Sequence, residues 1–332
     1  MNRRTFISGL SATTLLALSG KIKADTSSPA FGMVPHHRGL PFTASKFNRL
    51  WHLPQHLFAD VHERVTGEGV KIAVLDTGIK DHTCLPKPVA YRSFVGGTVV
   101  DRQGHGTHVA GTALGRNGIG VAPGAELIVG KVLGDNGSGS AEGICDAIHW
   151  AVERGADVIN LSLGGGYYPD FEKAVQHALD NNVFVVCAAG NAGNDYDRDT
   201  MGWPANIPGT IAVGATKGPF VKQSIASFSS SGKEMDIATC GQEIVSCSIK
   251  GPDKLVAFSG TSMATPYMAG VLALCIQARR IHGGTTPLDH DAFVTKGAND
   301  AGKEGHDFVY GAGILDIEKL LSVYTHPELL KD

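Results

Sequence analysis

Five short apolar runs, VKIAVLDTGI, ELIVGKVLGDNG, ADVINLSLGGG, NVFVVCAAGN and TIAVGAT, recur between residues 70 and 216, each running into Gly, Asn, Asp or Thr. Apolar, β-branched runs without alternation suit strands buried on both faces. Between them, AEGICDAIHWAVERG and DFEKAVQHALDNN carry apolar residues at helical spacing and stop at Gly or Asn. This alternation predicts crossover units on a buried, mostly parallel sheet with helices packed over it, an α/β fold. Ligands bind such sheets at the carboxyl ends of the strands, which is where DTG, GSG, SLGG and AAGN all fall.

The bulk properties narrow the function. A chain of 332 residues, 42% hydrophobic and with 43 glycines, suits a compact enzyme with many tight turns rather than a disordered or fibrous protein. A net charge of -3 gives no reason to expect a nucleic-acid partner or an anionic membrane surface. No repeat is visible and no apolar run is long enough to span a bilayer, so a monomer without a stable membrane anchor is expected.

Residues 1–24 read differently. Paired arginines at 3 and 4, then Phe6-Ile7 and a weakly apolar segment rich in Ser, Thr and Gly, predict a signal peptide ending near Ala24. The pattern resembles the twin-arginine export motif, which implies export machinery as a partner and a secreted or periplasmic protein. Residues 25–50 then form a short arm and 51–325 the folded domain. His36, His37, His52 and His56 read as surface residues with no ligand role. Of six cysteines, Cys187 and Cys275 sit in apolar runs and read as buried free thiols. Cys240 and Cys247 flank a strand-like segment and are a candidate pair.

The motifs carry the chemistry. In SGTSMATP, Ser262 precedes an apolar helix, where a hydroxyl can cap first-turn amides or, given a base, act as a nucleophile favoured by the helix N-terminus. Asp76 ends the first run, and alone it is a strand-end turn residue. GHGTHVAGT places His105 and His108 at a helix start; a metal reading fails for want of a third ligand nearby. Asn191 in AAGN is by itself a turn residue. Together they supply acyl transfer: a serine needs a histidine to take its proton, an aspartate to orient that histidine, and an amide to hold the oxyanion.

DTGI, GHGTHVAGT, SLGGG, AAGN and GTSMATP, in that order, resemble the subtilisin-like serine proteases over about residues 51 to 320, with KVLGDNGSG and SLGGGY most like the proteinase K branch. The resemblance implies a three-layer subtilisin-like fold and a serine endopeptidase needing no cofactor for catalysis. It assigns Asp76 as orienting carboxylate, His105 as general base and acid, Ser262 as nucleophile and Asn191 as oxyanion donor. Polypeptide substrates would bind as an added strand between Gly137-Ser138-Gly139 and Ser162-Leu163-Gly164. Ala188, Ala189, Gly190 and Gly202 would wall the main specificity pocket, favouring large uncharged residues before the cut. The neighbouring pocket reads as open, lined by Ala141, Ile144 and Leu163.

Two departures from the family stand out. The loop after HVAGT is short, so a calcium site common in the family is expected to be missing, while a structural calcium on the carbonyls of Pro208 and Thr210 and the carboxylate of Asp236 is implied by the proteinase K branch. Asp195, Asp197 and Asp199 read as a solvated loop. The arm is about half the length of the family's usual prodomain, which implies folding without that helper and leaves open how activity is restrained. A dedicated processing protease or peptide cyclase, and a catalytically silent peptide-binding pseudoprotease, are the alternative readings.

Overall fold

The computed structural model describes residues 30–32, 40–42, 50–284, 294 and 296–325; the expected signal peptide and most of the arm lie outside them. In chain order come β1 (Ala30–Gly32), β2 (Leu40–Phe42), α1 (Gln55–Arg64), β3 (Lys71–Asp76), β4 (Ala90–Ser93), α2 (His105–Leu114), β5 (Glu126–Lys131) and β6 (Ser138–Ser140). Then follow α3 (Ala141–Glu153), β7 (Val158–Leu161), α4 (Asp170–Asp180), β8 (Phe184–Ala188), β9 (Ile211–Lys217), β10 (Ser224–Ile225) and β11 (Ile237–Cys240). The remainder holds β12 (Ile244–Cys247), β13 (Leu255–Phe258), α5 (Thr261–Ile281), β14 (Ala298–Asn299), β15 (Ile314–Leu315) and a helix Ile317–Thr325.

All five apolar runs became strands of one sheet, whose order is β14-β15-β11-β9-β8-β7-β3-β5-β4. Pairing is parallel from β4 to β15, and only the marginal β14 and β10 run antiparallel. Successive strand residues point to opposite faces, and β3 shows the consequence. Ile72 and Val74 enter a core with α1, α2 and α5, whereas Ala73 and Leu75 enter a second core with α3 and α4. Helices therefore cover both faces in three layers. Among the described residues no helix is long and apolar enough to cross a membrane.

Two sequence readings are corrected here. Cys240 and Cys247 are not paired: β11 carries one into the main sheet and β12 carries the other into a small sheet with β13 and β2, and all six cysteines are free and buried. Cys187 and Cys275 are buried free thiols as expected. His52 is not on the surface but fully buried, because Tyr267 donates to its carbonyl at 2.8 Å and draws it under α5. His36, His37 and the side chain of His56 lie outside the described residues.

His52 and His108 make acid a specific threat to this fold. Burial pushes both down to about 3, with the neighbouring His105 adding to the effect on His108. His108 Nε2 donates to the carbonyls of Ile244 and Val256, and its ring stacks on Phe258. As the pH falls below about 6.5, the unfolded chain takes up these protons and the folded one does not, so stability falls by about 1.4 kcal/mol per pH unit for each histidine, down to about pH 3. Denaturant midpoints of the Ser262→Ala protein, measured from pH 7 to 4, should drop steeply, and His52→Leu should flatten that slope. A slope unchanged by the substitution would refute the assignment.

Candidate active site

Asp76 ends β3, and β3 lies beside β7 in the sheet, which lies beside β8. Adjacent strands are about 4.8 Å apart, so the residues following their carboxyl ends, Thr77, Ser162 and Ala189, share one short edge. Asp76, Ser162 and Asn191 are gathered there by the parallel pairing itself.

His105 is the first residue of α2, and its Nδ1 lies 2.8 Å from Asp76 Oδ1 and 3.0 Å from Oδ2, with both side chains almost fully buried. A carboxylate only accepts, so Nδ1 carries a proton, and in the neutral ring Nε2 is the basic atom. The glycines of GHGTH permit the approach. Gly104 takes φ +105 at the helix start, a conformation disfavoured for side-chain-bearing residues, and a Cβ on Gly106 would stand 2.4 Å from the Gly78 carbonyl oxygen.

Asp101 holds this corner together, and motif reading missed it. Its buried carboxylate accepts from the amides of Gln103, Gly104 and Thr107 and from the hydroxyls of Thr77 and Thr107. It thus caps α2, whose own N-cap is a glycine, while Thr77 Oγ1 receives the Gly106 amide. The legible signal was an Asp four residues before a helix start that lacks a capping side chain.

Ser262 is the second residue of α5 and fully buried. It does not cap the helix. Its Oγ donates to the Ser162 carbonyl at 3.1 Å, and Ser162 Oγ donates back to the Ser262 carbonyl at 2.9 Å, locking the start of α5 to the end of β7. Asn191 Oδ1 accepts from the amide and hydroxyl of Thr261 at 3.0 and 3.1 Å, which fixes the side-chain amide beside the serine's turn with its NH2 end directed away from Thr261.

The two segments expected to flank a substrate are bridged by the chain's own arm. β1 pairs antiparallel with β6, matching Phe31 to Gly139 and Gly32 to Ser138, while Gly32 exchanges amide–carbonyl bonds of 3.3 and 3.2 Å with Gly164. Phe31 is 1% exposed, sharing a cluster with Ala141, Ile144 and Leu163 and meeting Phe171 edge-on at 4.8 Å. Gly165 leaves the ring its space, since a Cβ there would stand 2.7 Å from it. The residues expected to line an open neighbouring pocket thus share one apolar cluster with Phe31. The residues expected to wall the main pocket lie close together: the Gly202 amide donates to the Ala189 carbonyl, Gly165 and Trp203 exchange bonds, and the Gly190 amide donates to Thr261 Oγ1.

Residues 67–313 match the model of the Subtilase family, Peptidase_S8. The chain belongs to the subtilase family. It is similar to subtilisin DY of Bacillus licheniformis, 37% identical over 263 residues that cover 76% of this chain and 90% of that protein. It is also similar to the major intracellular serine protease of Bacillus subtilis (strain 168), 42% identical over 63% of this chain and 69% of the relative. The intracellular serine protease of Paenibacillus polymyxa is 41% identical over 65% and 69%. This subtilase is a serine-type endopeptidase, in the three-layer α/β fold expected of it.

Of the residues implied for a structural calcium, Asp236 lies beside 208–212, its Oδ2 accepting the Ala212 amide at 2.7 Å. Calcium takes six to eight oxygens, water among them, and among the described residues no group of three or more His, Cys, Asp or Glu gathers to hold a metal. Asp195 and Asp199 accept amides of their own loop, as turn residues do.

Proposed function

We propose that this subtilase hydrolyses peptide bonds through Ser262, His105 and Asp76, with Asn191 and the Ser262 amide receiving the oxyanion. The observation that carries the reading is the Asp76–His105 pair, which orients His105 with Nε2 as its basic atom. Ser262 Oγ attacks the substrate carbonyl while Nε2 takes its proton, Asp76 stabilises the imidazolium, and the same proton then goes to the leaving amine. Water repeats the cycle on the acyl-enzyme.

Substrates bind as a strand between Gly137–Gly139 and Ser162–Gly164. The arm's seat on both edges supports this, because it forms the main-chain bonds such a substrate would form. Ala189, Gly190 and Gly202 leave room before the cut for a large uncharged side chain. A peptide-library digest should show bulky apolar or aromatic residues there, and a profile dominated by Arg or Lys would overturn the preference. Export by the twin-arginine route to a secreted or periplasmic location, a monomeric state and kinship to the proteinase K branch rest on the leader sequence, charge and short loop. The same arm supports a further proposal on restraint: while Phe31 is seated, the cleft is closed to other chains.

A further inference from the structure

Cys84 and Cys247 meet at a junction that serves no step of peptide hydrolysis. Cys84 lies in the loop between β3 and β4, 9% exposed, and Cys247 closes β12, fully buried. Both belong to one small cluster with Ile119, Val245 and Leu255, and their thiols are hydrogen-bond partners. The surrounding backbone is pinned. The Thr83 amide donates to the Pro252 carbonyl at 2.7 Å, His82 Nε2 bonds the Lys254 carbonyl at 2.8 Å, and the Arg116 amide donates to the Cys84 carbonyl at 2.6 Å. Cys247 also touches α2, since a Cβ on Gly111 would stand 2.8 Å from its sulfur.

We propose that Cys84 and Cys247 are a cross-linking site, oxidised to a disulfide that ties the 80–85 loop to the β12–β13 hairpin beneath α2. Two thiols in contact on separately anchored segments can close such a bond without unfolding either. With a hydroperoxide as oxidant, the Cys84 thiolate attacks the peroxide oxygen, giving a sulfenic acid and, from hydrogen peroxide, water once the departing hydroxide is protonated. The Cys247 thiol then attacks that sulfur, forming the S–S bond and releasing a second water. Cys84 is the attacking partner: the Cys247 hydrogen bond holds it down at about 5, while burial pushes Cys145 up to about 12 and Cys187, Cys240 and Cys275 up as well.

The full-length Ser262→Ala protein, which cannot digest itself, is treated with hydrogen peroxide, blocked with N-ethylmaleimide under denaturing conditions and mapped by mass spectrometry. The expected result is a Cys84–Cys247 peptide two mass units lighter than its parts, four blocked thiols, and a melting temperature raised by about 5–10 °C, reversed by dithiothreitol. Cys84→Ser should abolish both the link and the shift, and Cys247→Ala should do the same. Six blocked thiols, a Cys84 sulfinic acid without a linked peptide, or a link through Cys240 would each overturn the proposal.

Discussion

Ser262→Ala is expected to lower kcat on a casein-type substrate by roughly 10⁶-fold, the size of loss a subtilisin suffers without its serine or its histidine, taken over here from that relative. His105→Ala should lose about as much, and the double variant no more, because serine and histidine act as one unit. Asn191→Leu should cost roughly 10²–10³-fold, one oxyanion donor's share. Ser262→Ala should fold, since the side-chain bond it loses is the one to the Ser162 carbonyl and α5 keeps its packing. Initial rates, with unfolding curves beside them, check all three. Full activity in Ser262→Ala would remove Ser262 as nucleophile, and a double variant far worse than either single would break the unit.

The site was legible where chemistry sits on one motif. Asp76 ends β3, Asn191 follows the end of β8 by three residues, and His105 and Ser262 open α2 and α5; parallel pairing of runs visible as apolar blocks puts the strand ends on one edge. The sequence did not show what depends on meetings between distant segments. Asp101 reads as an ordinary loop carboxylate until Thr77 folds against it from 24 positions away. His52 reads as a surface residue until Tyr267, 215 positions on, draws it in. Cys247 found Cys84 rather than Cys240 because β12 leaves the main sheet for a small one. The arm's strand was invisible for a related reason: AFG is too short to carry a period, and only the two edges waiting for it make it a strand.

That strand sets the second large effect. A buried phenylalanine side chain contributes roughly 1.5–3 kcal/mol relative to exposure, and Phe31 is almost wholly buried between α3 and α4 residues. Phe31→Ala should weaken the arm's hold by about that amount and raise kcat/KM on a peptide substrate on the order of tenfold to a hundredfold, provided the closed state dominates. Phe31→Asp should go further, since a carboxylate has no partner in that pocket's apolar lining. The measurement is the initial rate per active site, with sites counted by titrating Ser262 with a phosphonyl fluoride and the N-terminus sequenced at each time point. Being tethered, the arm competes at an effective concentration set by its linker, so a free peptide carrying the AFG segment should inhibit the Phe31→Ala protein only at much higher concentrations. Equal rates per site in wild type and variant, with the wild-type arm still attached, would show that the seated arm does not restrain the enzyme. A wild-type rate that climbs as the arm is cut away, toward the rate Phe31→Ala has from the start, is what a self-releasing inhibitor requires.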